Sequence, residues 1–391
     1  MGGSEAAAAI AHRIRDRGPI TVAEFMSIAL YHPEHGYYAS RSKRTGRFGD
    51  FHTSVDAGPL FGRLLARQFA EMWQVLAAPG GDMPPEPGFD LVEAAAADGQ
   101  LARDVLDAAA DESPAFLDAI RLHLVEASPA ARARHRDTLG SHAACLTSSS
   151  ARLPDAVHGV IYANELLDAL PVHAVIGTPS GLAERYVALA PEGHSEAPVF
   201  VEQAGPPSNP AIGRHLASLG VTLETGQRAE VNLSALAWLT RACSSLHRGF
   251  LVLIDYGYQA GQLYSPAHGT GTLAAVAQHV TLPSGGRATP WLDDPGSRDI
   301  TSHVDLTSVR HVAEALGCEA LGLLDQTYFL MALAGQDADG APRLPADMKT
   351  RQTFKTLVLP GGLGSTMKVM VFGRQVGRPR LTGLTGASRL T

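Results

Sequence analysis

The strongest constraint in this chain is a repeated alternation of short apolar runs with helical stretches between residues 89 and 257. FDLVEA (89–94) is a predicted strand and Leu101 to Ala110 a predicted helix. AIRLHLVEAS (119–128) holds a second strand, and Pro129 to Thr138 a second helix. GVIYANELLDALPV (159–172) is a strand running into a turn, and GFLVLIDYG (249–257) is the most apolar strand of the chain. Strands interleaved with helices predict a parallel α/β sheet, Rossmann-like, with helices on both faces.

Elements flank that core. Glu5 to Arg17 reads as a helix ended by Gly18-Pro19. Thr21 is placed as the N-cap of the next helix, with Glu24 as its capping-box partner, and Phe25, Ile28 and Leu30 inward. Residues 31–54 form a long loop rich in Tyr, His and Gly, and Pro59 to Leu76 has helical apolar spacing. The expected division is therefore an N-terminal helical region with an aromatic loop (1–78), then a core (79–373), then a disordered tail (374–391). Within the core, residues 173–230 suit inserted antiparallel strands. Residues 258–305 suit loops, with a short helix near Leu273 to His279. Leu236 to Leu246 and Leu306 to Leu316 read as helices, Gly335 to Asp347 as a loop, and MKVMVFG (367–373) as a closing strand.

The chemistry gathers at strand ends. In an open parallel sheet, ligands bind beyond the carboxyl ends of the strands, where strand order reverses. The first strand ends at Glu93 and the second at Glu126, so both glutamates are candidate cofactor contacts. An acidic group after the second strand suits a ribose diol. The third strand ends in Asn164, Glu165 and Asp168, where two carboxylates and an amide can hold a polar or cationic group, including a guanidinium. Asp255 ends a buried strand, where a carboxylate needs a partner. By spacing alone each of these residues could also be a solvated strand end or a helix cap.

A net charge of −7 argues against a broad nucleic-acid footprint. No run approaches the ~18 apolar residues of a membrane span, and no signal-peptide core is evident, so a cytoplasmic location is expected. Cys145, Cys243 and Cys318 lie far apart without a CxxC pair; they read as reduced thiols, and no metal site is expected.

Several motifs, in order from residue 31 to residue 372, together resemble the MidA family of S-adenosylmethionine-dependent methyltransferases, which includes the mitochondrial complex I assembly methyltransferase. They are YHPEHGYY (31–38), GDFHTS (49–54), VEAS (125–128), ANELLDALPV (163–172), VNLSALAWL (231–239), LIDYG (253–257), TLAAVAQH (272–279), PGSRDITSHVDL (295–306) and MKVMVF (367–372). The resemblance implies a seven-strand class I methyltransferase sheet with S-adenosylmethionine as cofactor. It implies cofactor contacts at Gly49, Thr53, Gly99, Glu126, Asn164 and Glu165, with Glu93 at the end of the first strand. Glu165 and Asp168 become the expected guanidinium partners if the acceptor is a protein arginine. For a small-molecule acceptor, His279 or His303 becomes the expected base. Asp299, Thr301, His303 and Asp305 are expected on the acceptor side.

The chain departs from the family after the first strand. Relatives carry a run close to E-x-G-x-G-x-G, where this chain has Glu93-Ala94-Ala95-Ala96-Ala97-Asp98-Gly99. Alanines 95 and 97 are expected to push the backbone off the ligand or to strain it, at ~1–2 kcal/mol per left-handed residue, and Asp98 to add negative charge beside the site. That loop motivates the alternative of a non-catalytic assembly or binding protein on the same scaffold. A weaker alternative, an NAD-dependent oxidoreductase, requires the alanines to admit a pyrophosphate. Ala-rich helices near the N-terminus leave a homodimer open.

Overall fold

The computed structural model describes residues 2–40, 54–55, 57–78, 88–191, 197–277, 280–283, 289–335, 347–359, 364 and 366–385. The chain forms two compact units, each assembled from three separate stretches. One comprises residues 52–166, 239–256 and 310–391; the other comprises 1–51, 167–238 and 257–309.

The first of these holds a large sheet. Its strands are β1 (Phe89–Ala94), β2 (Ile120–Val125), β3 (Leu146–Ser150), β4 (Val157–Asn164), β5 (Leu246–Tyr258), β6 (Glu319–Asp325) and β7 (Met367–Arg374), in the order β3-β2-β1-β4-β5-β7-β6. All neighbours from β3 to β5 run parallel, and β7 is antiparallel to β5 and β6. Every residue of β1 is buried, as a central parallel strand covered on both faces requires. Helices α1 (Leu60–Ala77), α2 (Gln100–Glu112) and α3 (Gln326–Ala334) belong to the same unit. The strand order reverses between β1 and β4, which makes their carboxyl ends the switch point.

The two strands that the sequence does not announce are β3 and β6, at opposite edges of this sheet. LTSSS alternates between half-buried and exposed positions and EALGLLD is mostly half-buried, so neither presents a continuous apolar run. The expected tail also differs. Leu381 is buried, the Gly383 amide donates to Gln68 Oε1 at 2.9 Å, and the Thr382 amide donates to Glu71 at 2.8 Å. Thr382 and Gly383 are therefore tied to α1. Cys243 and Cys318, 75 positions apart in sequence, are both fully buried and share a hydrogen bond.

The second unit is built on an antiparallel sheet of strands 20–21, 173–178, 181–189, 200–205 and 228–231. One apolar cluster of this unit gathers Ile10, Phe25, Leu30, Val187, Phe200 and Trp291. Thr21 caps the helix Val22–Tyr31 by accepting the Glu24 amide at 3.1 Å. The Glu24 carboxylate is taken by Arg13. Residues 274–277 correct the helix expected over 273–279: they are a strand, paired antiparallel with 280–283 and 299–301. Alanine favours helix locally, and strand pairing overrides it here.

Among the described residues no helix is long and apolar enough to cross a membrane, and no group of three or more His, Cys, Asp or Glu is arranged to hold a metal ion.

Candidate active site

The turn from β1 into α2 is made by residues that resist it. Ala95 has φ 59°, Ala97 φ 48° and Gly99, the N-cap of α2, φ 91°. Only glycine enters this region without steric cost. The loop keeps the left-handed turns of a glycine run, and alanine carries two of them.

Hydrogen bonds hold it there. The Ala96 amide donates to Val125 O at 3.1 Å and the Gly99 amide to Ala96 O at 2.7 Å. The Ala97 amide donates to Glu126 Oε2 at 3.0 Å. The Ala97 carbonyl accepts from His135 Nε2 at 2.9 Å, and the other ring nitrogen of His135 lies 2.9 Å from Ser149 Oγ. A β-carbon at Gly99 would come within 3.2 Å of Leu124 Cδ1, so the close approach of backbone to β2 also depends on glycine there. The alanines are thus held in left-handed turns. Their strain is a cost of folding, met before any ligand arrives.

The two strand-end glutamates differ in role. Glu93 is buried, with its carboxyl group between the Tyr162 hydroxyl, which donates at 3.0 Å, and the amide of Ala102 in the first turn of α2. Burial is the main influence on Glu93 and raises its pKa to about 8, so it is largely protonated at neutral pH. In this position Glu93 supports the start of α2. Glu126 is half-buried at the end of β2. One oxygen takes the Ala97 amide and the other the Ser128 amide at 2.7 Å. A carboxylate has about four acceptor positions, so Glu126 can brace the loop and still receive ribose hydroxyls. The charge expected from Asp98 is answered by Arg134, 4.0 Å away.

At the end of β4, Glu165 has φ 53°, and its amide donates to Ile254 O at 2.8 Å. The Asn164 amide nitrogen donates to Glu165 Oε1 at 2.9 Å. Asn164 Oδ1 is buried and has no hydrogen-bond partner among the described residues. A buried acceptor of this kind beside the switch point can take an N–H or O–H donor. An ammonium group suits that acceptor, and a diol fits Glu126. These residues are therefore suited to an aminoacyl nucleoside such as S-adenosylmethionine.

Asp168, Asp299, Thr301, His303 and Asp305 fall in the other unit. Asp168 is buried, and its carbonyl accepts the Ser302 amide at 3.0 Å. Asp299 accepts the Tyr38 hydroxyl at 2.9 Å, and Tyr31 donates to Ala169 O at 3.0 Å. Thr301 is buried, and Asp305 takes the Ser308 amide at 3.1 Å, capping the helix Leu306–Ala315. His303 packs its ring 5.2 Å from that of Tyr258. Burial, reinforced by nearby His268, lowers its pKa to about 4, so it is neutral and weakly basic. Gly49, Thr53 and His279 lie outside the described residues. Sequence reasoning missed His135 and Ser149, which carry no motif signal.

Seven strands of the large sheet in this order, with acidic strand ends around a turn-rich loop, make a Rossmann-like frame of the kind methyltransferases use. Residues 64–324 match the model of a family of S-adenosyl-L-methionine-dependent methyltransferases, and the chain belongs to that MidA-like family. It is an S-adenosylmethionine-dependent methyltransferase. The fold is similar to that of a Burkholderia thailandensis protein solved with S-adenosylhomocysteine: TM-score 0.83, 26% identity, covering 99% of this chain and 96% of that one. The chain is also 28% identical to the Drosophila melanogaster homologue of protein arginine methyltransferase NDUFAF7, over 92% of this chain and 82% of that protein. To the human NDUFAF7 protein it is 26% identical, over 82% and 71% respectively. Both relatives are named as mitochondrial, which overturns the cytoplasmic expectation.

Two outcomes are expected. Replacing Ala95 or Ala97 by glycine should raise the unfolding free energy by about 1 kcal/mol each. Denaturant titration checks this; a loss of stability would mean that neither position is strained. The raised Glu93 pKa makes its contribution to stability greatest below about pH 4.5, and that contribution falls as pH rises to about 8. Glu93→Gln should therefore flatten the decline of Tm across that window. Parallel Tm curves for the variant and the parent protein would refute the assignment.

Proposed function

We propose that the methyl acceptor is a protein arginine and that Glu165 receives its guanidinium. The names of the curated relatives supply the acceptor class. The observation that carries the reading is the geometry of Glu165, half-buried at the carboxyl end of β4, with its amide fixed to Ile254 and one carboxylate oxygen held by Asn164. A carboxylate fixed in this way can orient the plane of a guanidinium through paired hydrogen bonds.

S-adenosylmethionine, when bound, supplies an electrophilic methyl group on its sulfonium. Asn164 Oδ1 would accept from its ammonium, Glu126 from its ribose hydroxyls, and the turn from Ala95 to Gly99 would receive its aminoacyl part. Glu165 would align the attacking nitrogen and take the proton it releases as the N–C bond forms and the bond from methyl to sulfur breaks, its electron pair passing to sulfur to leave S-adenosylhomocysteine. Such a transfer depends more on alignment than on a strong base.

The test is incubation of the purified protein, with S-adenosylmethionine labelled in its methyl group, in an extract from cells lacking the gene. Acid hydrolysis and amino-acid analysis follow. Label should appear in methylarginine and fall by about 100-fold or more for Glu165→Gln. Label confined to methyllysine or to small molecules would overturn the proposal.

A further inference from the structure

We propose that His135 is a positioning residue for cofactor binding, clamping the Ala97 peptide in the left-handed conformation that this chain must reach without glycine. The Ala97 peptide is fixed at both ends, its amide to Glu126 and its carbonyl to His135. His135 is fully buried, so it has no bulk water to turn to. Its tautomer follows from its neighbours. A carbonyl oxygen can only accept, so Nε2 carries the proton and donates to Ala97 O. Nδ1 is then the acceptor for the Ser149 hydroxyl on β3. β3, His135 and the loop thus form one hydrogen-bonded chain reaching from the edge of the sheet to the switch point.

The arrangement also suits a neutral imidazole, with one ring nitrogen donating and the other accepting. Burial is the main influence on the His135 imidazole and holds its pKa below the usual value, which favours the neutral form. Glycine would populate the left-handed region by itself, whereas alanine does so only while the clamp outweighs its steric preference. The inference concerns the cofactor alone and is independent of the acceptor.

The experiment is calorimetric titration with S-adenosylhomocysteine of the parent protein and four variants: His135→Leu, His135→Gln, Ala97→Gly, and His135→Leu combined with Ala97→Gly. Glutamine can donate to Ala97 O and accept from Ser149, so His135→Gln should bind within a few-fold of the parent. Leucine fills the space without either bond, and should weaken Kd by roughly tenfold or more. Combined with Ala97→Gly, the same leucine should weaken binding by markedly less. Two results would overturn the proposal: parent-like binding by His135→Leu, or an equal loss with and without Ala97→Gly. The second would mark His135 as packing only. If His135→Leu fails to fold, Ser149→Ala, made alone and together with Ala97→Gly, gives the same comparison. A loss confined to the chain that keeps Ala97 supports the clamp, and an equal loss in both contradicts it.

Discussion

The site rests on a few peptide units held where their side chains oppose them. Ala95 and Ala97 stand at positive φ, and so does Glu165 at the neighbouring strand end. L-residues stay in that region only where the surroundings over-determine them. Here the surroundings are specific: Glu126 on the Ala97 amide, His135 on its carbonyl, and Ile254 on the Glu165 amide. The sheet supplies these partners because β1, β2, β4 and β5 lie side by side in parallel, so that their carboxyl ends emerge together. Remove that register and the loop has neither its anchors nor its position at the switch point.

The two glutamates at successive strand ends show how burial decides a role that spacing cannot. Both are acidic, both end a strand, and both precede a turn. Glu93 is enclosed by Tyr162 and the start of α2, and retains its proton at neutral pH. Glu126 keeps partial access and two backbone donors, and is the one suited to a polar ligand. The same distinction separates Glu165 from Asp168, three residues on, which is buried within the other unit.

Much of this was legible in the sequence. Long apolar runs announced β1, β2, β4, β5 and β7, and their spacing with the intervening helices announced a parallel sheet. Asn164, Glu165 and Glu126 were marked by their places at strand ends, and the alanine-for-glycine exchange marked the loop. What stayed hidden depends on tertiary pairing. LTSSS and EALGLLD lack an apolar run because they are edge strands. Residues 274–277 are alanine-rich and read as helix until strand pairing is known. His135 gave no sign, since an ordinary histidine near a short helix becomes a clamp only when β3 and the loop are brought to its two nitrogens.

The central claim is that an alanine loop braced by Glu126 is a working cofactor site. Equilibrium binding of S-adenosylmethionine to the full chain, with and without Glu126→Ala, tests it most directly. The account predicts saturable one-to-one binding that is lost or weakened at least tenfold in the variant. No binding by the parent protein at millimolar cofactor, or binding that is indifferent to Glu126, would contradict it.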